Sequence, residues 1–494
     1  MSFSFELRNN VLFLNNENID DIIKSIKINE KNNNLTYKYS EYDNALYIGN
    51  NENPYLILAS SKSREIENCI IHKDTQVVYN NAFLLNTKLC NIGMGENVKY
   101  ILDRAFNGCA ILNVDFPSNL EFIGNESFSH CRFLKEIFIP NNVKYIGDRA
   151  FDLCDSLEKI TLGNELNYIG NFAFKNCEKL IEISIPDSVK FIGYGAYSNC
   201  SMLKVIKIGK GVEIISIETF GSCSNLRCVD LSYNVKNIED LAFMFCKNIT
   251  NLTVSNQIEY CGDITYQNLD TLYFNIYENG KYIGNNEKPY LILADVINKD
   301  IKEFNIHNQT RIIGTRAFLG CENLKTIIIP EDVKTIESSA FEDCYKLNNV
   351  YISNGLKNIN KNAFNGCSNL KSINLPNTLK YIGRNTFANC DGLINITIPN
   401  EIEILNYDLF SNCQKLDYIV IPKSVKEIND NCFNYDEIEN IYYKGTESEW
   451  NIIEKYEGIN DDLKSSKIYF YSETEPLKNG NYWHYDENNK IIKW

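Results

Sequence analysis

The chain is 494 residues long, and 64 acidic against 49 basic side chains give it a formal charge of −15. That charge is spread along the chain, which fits a solvated acidic surface and excludes a nucleic-acid binder, because such a protein needs a basic face. No run of about 18 apolar residues occurs, so no membrane insertion is expected.

The first 35 residues are weakly patterned and read as an N-terminal cap. Their opening, MSFSFELRNNVLFLNN, lacks the basic start and apolar core of a secretory signal, so location stays open. Thr36 to Leu58 reads TYKYSEYDNALYIGNNENPYLIL. Its aromatic alternation, a turn at Asn44-Ala45 and the run Pro54-Tyr55-Leu56-Ile57-Leu58 predict a β-hairpin.

A repeat then begins, and it organises the rest of the chain. An anchor aromatic stands at Phe83, Phe106, Phe128, Phe151, Phe174, Tyr197, Phe220 and Phe243, then at Phe318, Phe341, Phe364, Phe387, Phe410 and Phe433. The steps are 23 residues, with one of 22. A cysteine follows three residues later in 12 copies, at 109, 131, 154, 177, 200, 223, 246, 321, 344, 367, 390 and 413. Ala317, Cys321 and Leu324 have the spacing of one stripe of a short helix. Leu324-x-x-Ile327-x-Ile329 then alternates as a strand does. Pro or Gly follows, as at Pro140, Gly163, Pro330 and Pro376, and a lesser strand comes after it. Such a unit cannot bury its apolar side alone, and stacked copies share a core. Strands separated by a whole repeat must pair in parallel, with right-handed crossovers.

Thr271 to Leu293, TLYFNIYENGKYIGNNEKPYLIL, copies the first hairpin at an offset of 235, with its turn at Asn279-Gly280. The offset holds through His72 and His307, Thr75 and Thr310, and Phe83 and Phe318. This insertion either bends the stack of repeats or splits it. After Cys432 come a strand at Ile438 to Tyr443, a capping box Thr446-Glu447-Ser448-Glu449 opening a helix through Trp450, a strand near Ile468, an Asn479-Gly480 turn and aromatic strands around Trp483 and Trp494. The expected layout is a cap with hairpin (1–75), a first array (76–260), the inserted hairpin (261–310), a second array (311–445) and a C-terminal cap (446–494).

The pattern I-P-x-x-V-K-x-I-G-x-x-A-F-x-x-C-x-x-L-x-x-I-x-I-P, nearly whole from Ile139-Pro140 through Phe151 and Ile160, resembles the BspA-like subfamily of leucine-rich repeats. The inserted hairpin and the ending Asn481-Tyr482-Trp483-His484-Tyr485 resemble those of low-GC gut bacterial members. The resemblance implies an α/β repeat fold: a right-handed leucine-rich-repeat solenoid with a parallel β-sheet, about 23 residues per repeat, capped by β-hairpins. It also implies a secreted or surface protein that adheres to host proteins or other cells, and it carries no catalytic motif to transfer.

Nothing in the residues themselves points to an enzyme, a cofactor or a metal. The ladder cysteines read as small buried hydrophobes, because one residue type at one core position speaks for packing and no C-x-x-C pair is present. His72 and His307 read as structural side chains. His130 is only the sequence neighbour of a core cysteine, Cys131. Gly93-Met94-Gly95 lacks the rest of a dinucleotide fingerprint. A lysine column at Lys99, Lys144, Lys190, Lys236, Lys334, Lys357, Lys380 and Lys426 reads as a solvated strand face. The function expected is a monomeric, non-catalytic module binding a protein or glycan, with an intracellular interaction scaffold as the alternative.

One column of strand residues points outward. It reads Asp115, Phe138, Thr161, Ser184, Lys207, Asp230 and Thr253 in the first array, and Ile328, Tyr351, Asn374, Thr397, Val420 and Tyr442 in the second. The second is more apolar and uncharged, so Ile328, Tyr351, Val420 and Tyr442 are the expected contact residues.

Overall fold

The structure, a computed structural model, describes residues 37–231, 233–262, 271–433, 438–455, 466–477 and 480–494, preceded by three short antiparallel strands, Phe5–Arg8, Val11–Leu14 and Glu17–Asn18. The rest of the expected N-terminal cap and Asn479 of the expected turn lie outside the described residues. The chain forms two compact units, Met1–Val212 with Glu218–Leu226, and Glu213–Ile217 with Arg227–Trp494. The division falls inside the first array.

Most copies contribute two strands; the copy at Asn113 keeps only a single bridge of the first, and the copy at 371–376 has an extended segment in its place. The first (A strand) is typified by Glu136–Phe138, where Ile137 is buried and its neighbours are exposed, as the alternation requires. It pairs in parallel with Lys159–Thr161 one copy later, Ile137 opposite Ile160. The second (B strand) has two residues, as at Tyr145–Ile146, and pairs with Tyr168–Ile169. The chain is a parallel-sheet leucine-rich-repeat solenoid with a spacing of about 23 residues, as Ile137 and Ile160 illustrate.

Both hairpins belong to the B row. In the first unit, Lys38–Tyr42 and Ala45–Gly49 pair antiparallel, Ile57–Ser61 joins them, and the parallel row runs on from Val77–Val78 to Phe191–Ile192 in one nine-stranded sheet. In the second unit, Asn275–Tyr277, Gly280–Ile283 and Ile292–Val296 lead in the same way to Ile312–Ile313 and on to Tyr381–Ile382. The hairpin thus pairs with the leading edge of the row, an edge that would otherwise be open. The turns sit one residue earlier than expected, at Asp43-Asn44 and Glu278-Asn279, and Asp43 and Glu278 take the positive φ.

The expected helical stripe is absent. The segment through Ala317 and Cys321 is a run of tight turns: Ala317 N–H donates to the Gly314 carbonyl, Leu319 to Arg316 and Cys321 to Phe318. Between them, Arg316 and Phe318 donate to Ser338 and Ala340 of the next copy. A helix needs every N–H for its own i−4 carbonyl, and here alternate ones are spent between copies. Positive φ at Arg316 and Gly320 breaks the turn of any helix a second time. Spacings of four and three suit such a run as well as they suit a helix.

The anchor aromatics form two stacked ladders. Ring centroids from Phe83 to Phe220 lie 5.0–5.6 Å apart, and those from Phe318 to Phe433 lie 4.7–5.8 Å apart, with planes nearly parallel. All are buried. Each contributes about 1.5–3 kcal/mol by burial alone.

Within the second unit the end of the first array is fastened to the second array. Val254 N–H donates to Gly284 of the inserted hairpin, and Asn285 Nδ2 donates back to Val254. The last B strand, Tyr260–Cys261, lies against the B row of the second array. Thr335 Oγ1 donates to the Glu259 carbonyl at 2.6 Å, and Arg311 Nε to the Ile258 carbonyl at 2.8 Å. Glu337, 1% exposed, accepts from the Cys261 N–H at 3.1 Å and from Asn360 Nδ2 at 2.6 Å. Lys357 Nζ reaches both Glu259 oxygens at 3.1 Å.

The C-terminal cap begins with the predicted capping box. Thr446 Oγ1 accepts from Glu449 N–H, and the Glu449 carboxylate accepts from Thr446 N–H at 2.7 Å, which starts the short helix Glu447–Asn451. Asn440–Tyr443, Lys467–Tyr471, Tyr482–Tyr485 and Ile491–Lys493 then extend the A row to its end.

Candidate functional site

The A-strand face of the second unit is built by period-2 alternation, which sends every second side chain outward. Ile328 and Tyr351 stand opposite each other in register and are 59% and 58% exposed. By sequence position the column beside them reads Thr326, Asn349, Ser372 and Asn395, and their own continues through Asn374 and Thr397; Ser372 and Asn374 stand in an extended segment between two sheets, not in a strand. Over these four copies both columns are uncharged.

Val420 and Tyr442 are a correction. They lie in the same column but are 1% and 5% exposed. Trp483 of the C-terminal cap packs over Tyr442 at 5.5 Å and donates its indole N–H to the Tyr443 carbonyl at 3.0 Å. Val420, Tyr442 and Trp483 form a small core of their own, with Tyr418, Tyr469, Tyr471 and Tyr485 around it. Strand alternation says which face a side chain takes, not what later folds over that face. The exposed row therefore ends before Val420.

The ladder cysteines are spent on the backbone, away from the A-strand face. Ten of them donate a thiol hydrogen bond to the carbonyl of the anchor aromatic one copy earlier, as Cys131 to Phe106 at 3.3 Å and Cys413 to Phe387 at 3.0 Å. Burial pushes up the thiols of Cys109, to about 12, and of Cys131, Cys154, Cys177, Cys200, Cys344, Cys367 and Cys390, so these are not poised as thiolates. This bond was not foreseen from the sequence, although a serine or cysteine at a buried, strictly periodic position is the signal that would find it.

The repeating A strands, the turn columns and the cysteine ladder together match the family described as BspA type leucine rich repeat region, over residues 59–181, 167–287, 297–417 and 369–475. The chain belongs to this BspA-type leucine-rich repeat family. No curated protein matches it. Among solved structures, this BspA-type chain is similar to a leucine-rich repeat protein from Bacteroides ovatus, at 23% identity over 88% of this chain and 97% of that one, with a TM-score of 0.37. It is also similar to a leucine rich cell surface protein from Faecalibacterium prausnitzii, at 24% identity over 86% and 97%, TM-score 0.33, and to the pneumococcal vaccine antigen PcpA, at 18% identity over 94% and 98%, TM-score 0.29.

The histidines of the BspA-type chain make local contacts. His72 stacks on Tyr55 at 4.0 Å, meets Tyr42 edge-on and accepts the Asp74 N–H at Nδ1. His307 repeats this with Tyr290, Tyr277 and the Gln309 N–H, and its burial lowers its pKa. His130 Nδ1 lies 2.9 Å from Ser129 Oγ, while Cys131 donates to Phe106. Among the described residues no cluster of His, Cys, Asp and Glu could hold a metal ion. Of the lysine column, Lys236, Lys357 and Lys426 bridge to Glu213, Glu259 and Glu403.

Proposed function

We propose that this BspA-type protein is a non-catalytic binding module that presents the A-strand face of its second unit to a protein or glycan partner. The observation that carries the reading is the pair Ile328 and Tyr351, side by side and more than half exposed, on a face whose two central columns are uncharged from Thr326 to Thr397. An aliphatic and an aromatic anchor, flanked by Asn305, Thr326, Asn349 and Ser372 and bounded by Glu303 on the preceding strand, suits a partner surface. A catalytic reading gains nothing from the ladder thiols, which are buried and point at carbonyls. Family resemblance favours adhesion at the cell surface. A second reading, an intracellular interaction scaffold, is favoured by the ladder cysteines, ten of which donate thiol hydrogen bonds to carbonyls, as reduced cysteines of a reducing compartment do. Fractionation of native cells decides between the two: recovery at the surface or in the medium supports adhesion, and recovery in the cytosol alone supports the scaffold. The binding role itself is tested by presenting the full chain to arrayed glycans and surface proteins. Adhesion predicts a saturable partner whose binding an Ile328→Asp/Tyr351→Asp variant loses.

A further inference from the structure

The single 22-residue step of the array falls between Phe106 and Phe128. Alignment within the chain places the missing residue. Neighbouring copies read Cys131-Arg132-Phe133-Leu134 and Cys154-Asp155-Ser156-Leu157, whereas this one reads Cys109-Ala110-Ile111, with Ile111 buried in the leucine's place. The turn is one side chain short, and the residues that remain there, Gly108 and Ala110, are the smallest available. The result is a notch of about 370 Å³ on the turn side of the first unit. Gly108, Cys109 and Ala110 line it together with Leu85 and Phe133, and the polar Thr87, Asn107, His130 and Arg132 complete it. The volume is at the small end of ligand sites, which run from about 300 to 1,000 Å³.

Two features set the notch apart from an ordinary gap. Its walls are apolar yet open to water, Leu85 at 51% exposure and Phe133 at 57%. Its rim carries a cation whose nearest carboxylate among the described residues, Asp155, stands 3.7 Å from Arg132 Nε, longer than a charge-assisted hydrogen bond. Apolar walls next to an under-engaged guanidinium ask for an apolar group with a negative charge beside it.

We propose that this notch is a second binding site, taking from a protein partner one aromatic side chain that is followed by a carboxylate. The ring fills the place of the missing residue between Leu85 and Phe133, and the carboxylate pairs with Arg132. This site is independent of the A-strand face of the second unit.

The test titrates the full chain with the peptide acetyl-Gly-Phe-Asp-Gly-amide, followed by broadening of the peptide's aromatic NMR signals. Saturable binding is expected, with a dissociation constant in the millimolar range for a single anchor. Replacing the peptide's Phe by Ala should abolish it. Replacing its Asp by Asn should weaken it by at most about five-fold, the range of one exposed ion pair. Ala110→Leu fills the notch and should abolish binding. Arg132→Gln is an exposed change that leaves the core alone; it should weaken the Asp peptide as much as the Asn replacement does, and should leave the Asn peptide's binding unaltered. No saturable binding to the unaltered chain, or binding that survives both Ala110→Leu and Arg132→Gln undiminished, overturns the proposal. Should Ala110→Leu lower the melting temperature, the Arg132→Gln comparison still decides.

Discussion

Two residues in each complete copy sit at positive φ: the one two before the anchor aromatic and the one before the cysteine. In the second position stand Gly108, His130, Leu153, Asn176, Asn199, Ser222 and Phe245, then Gly320, Asp343, Gly366, Asn389 and Asn412. The bias to Gly, Asn and Asp follows from the steric cost of a Cβ there, and Leu153 and Phe245 bear that cost of about 1–2 kcal/mol. This column was legible as a run of turn formers; it went unread because the four-and-three spacing of Ala317, Cys321 and Leu324 looked helical. Phe245 is 56% exposed, so Phe245→Gly loses little packing and should stabilise by roughly 1 kcal/mol, read as a raised urea midpoint of the full chain. Gly320→Ala and Gly366→Ala should both destabilise, the second more. A Cβ at Gly320 meets nothing within 4 Å, whereas one at Gly366 overlaps Asp343 Oδ1. The cysteines give a second expectation at this scale. A thiol reagent should react promptly with exposed Cys228, slowly with half-buried Cys90 and, in native protein, with none of the ladder. All 17 should react after denaturation.

The strands and ladders were the most legible elements, because each rests on a period that repeats many times. Fourteen anchor positions report one geometry, so the stacked rings and parallel register follow from counting. The elements that occur once were harder. The hairpin turns slipped by one residue, to Asp43-Asn44 and Glu278-Asn279, because Asp and Glu also accept positive φ at a cost that sequence alone does not show. Ladder position should govern stability. Phe364 is stacked on both sides, at 5.1 Å from Phe341 and 5.8 Å from Phe387. Phe364→Ala should cost about 3–5 kcal/mol. Phe433 has a described ladder neighbour on one side, Phe410 at 5.7 Å, and its copy carries no cysteine three residues on, so Phe433→Ala should cost less. Equal shifts in the urea midpoint would contradict a nearest-neighbour ladder.

At the scale of the whole molecule, sequence left open whether the inserted hairpin bends or splits the repeats. In the second unit it does neither alone: the hairpin starts a new B row and also pairs with the end of the first array through Val254 and Asn285. No periodicity announces a contact such as Glu337 with Cys261, because the two residues are 76 apart and meet once. Glu337→Ala strands the Cys261 N–H in a buried place and should cost about 1–3 kcal/mol. Amide hydrogen exchange should then quicken at Cys261, with the strands of the second A row unchanged. The candidate site was half legible for the same reason. The exposure of Ile328 and Tyr351 follows from alternation, whereas Val420 and Tyr442 are covered by a cap whose Trp483 belongs to no repeat. The central claim, that the A-strand face of the second unit carries the binding, is tested most directly on whichever partner the arrays return. Its affinity should be measured for Ile328→Glu and Tyr351→Glu beside Thr161→Glu and Ser184→Glu, which alter the matching column of the first unit. The account predicts at least a ten-fold loss, about 1.4 kcal/mol, for each of the first two and little change for the controls. Loss in the controls, with Ile328→Glu and Tyr351→Glu binding as the unaltered chain does, would contradict it.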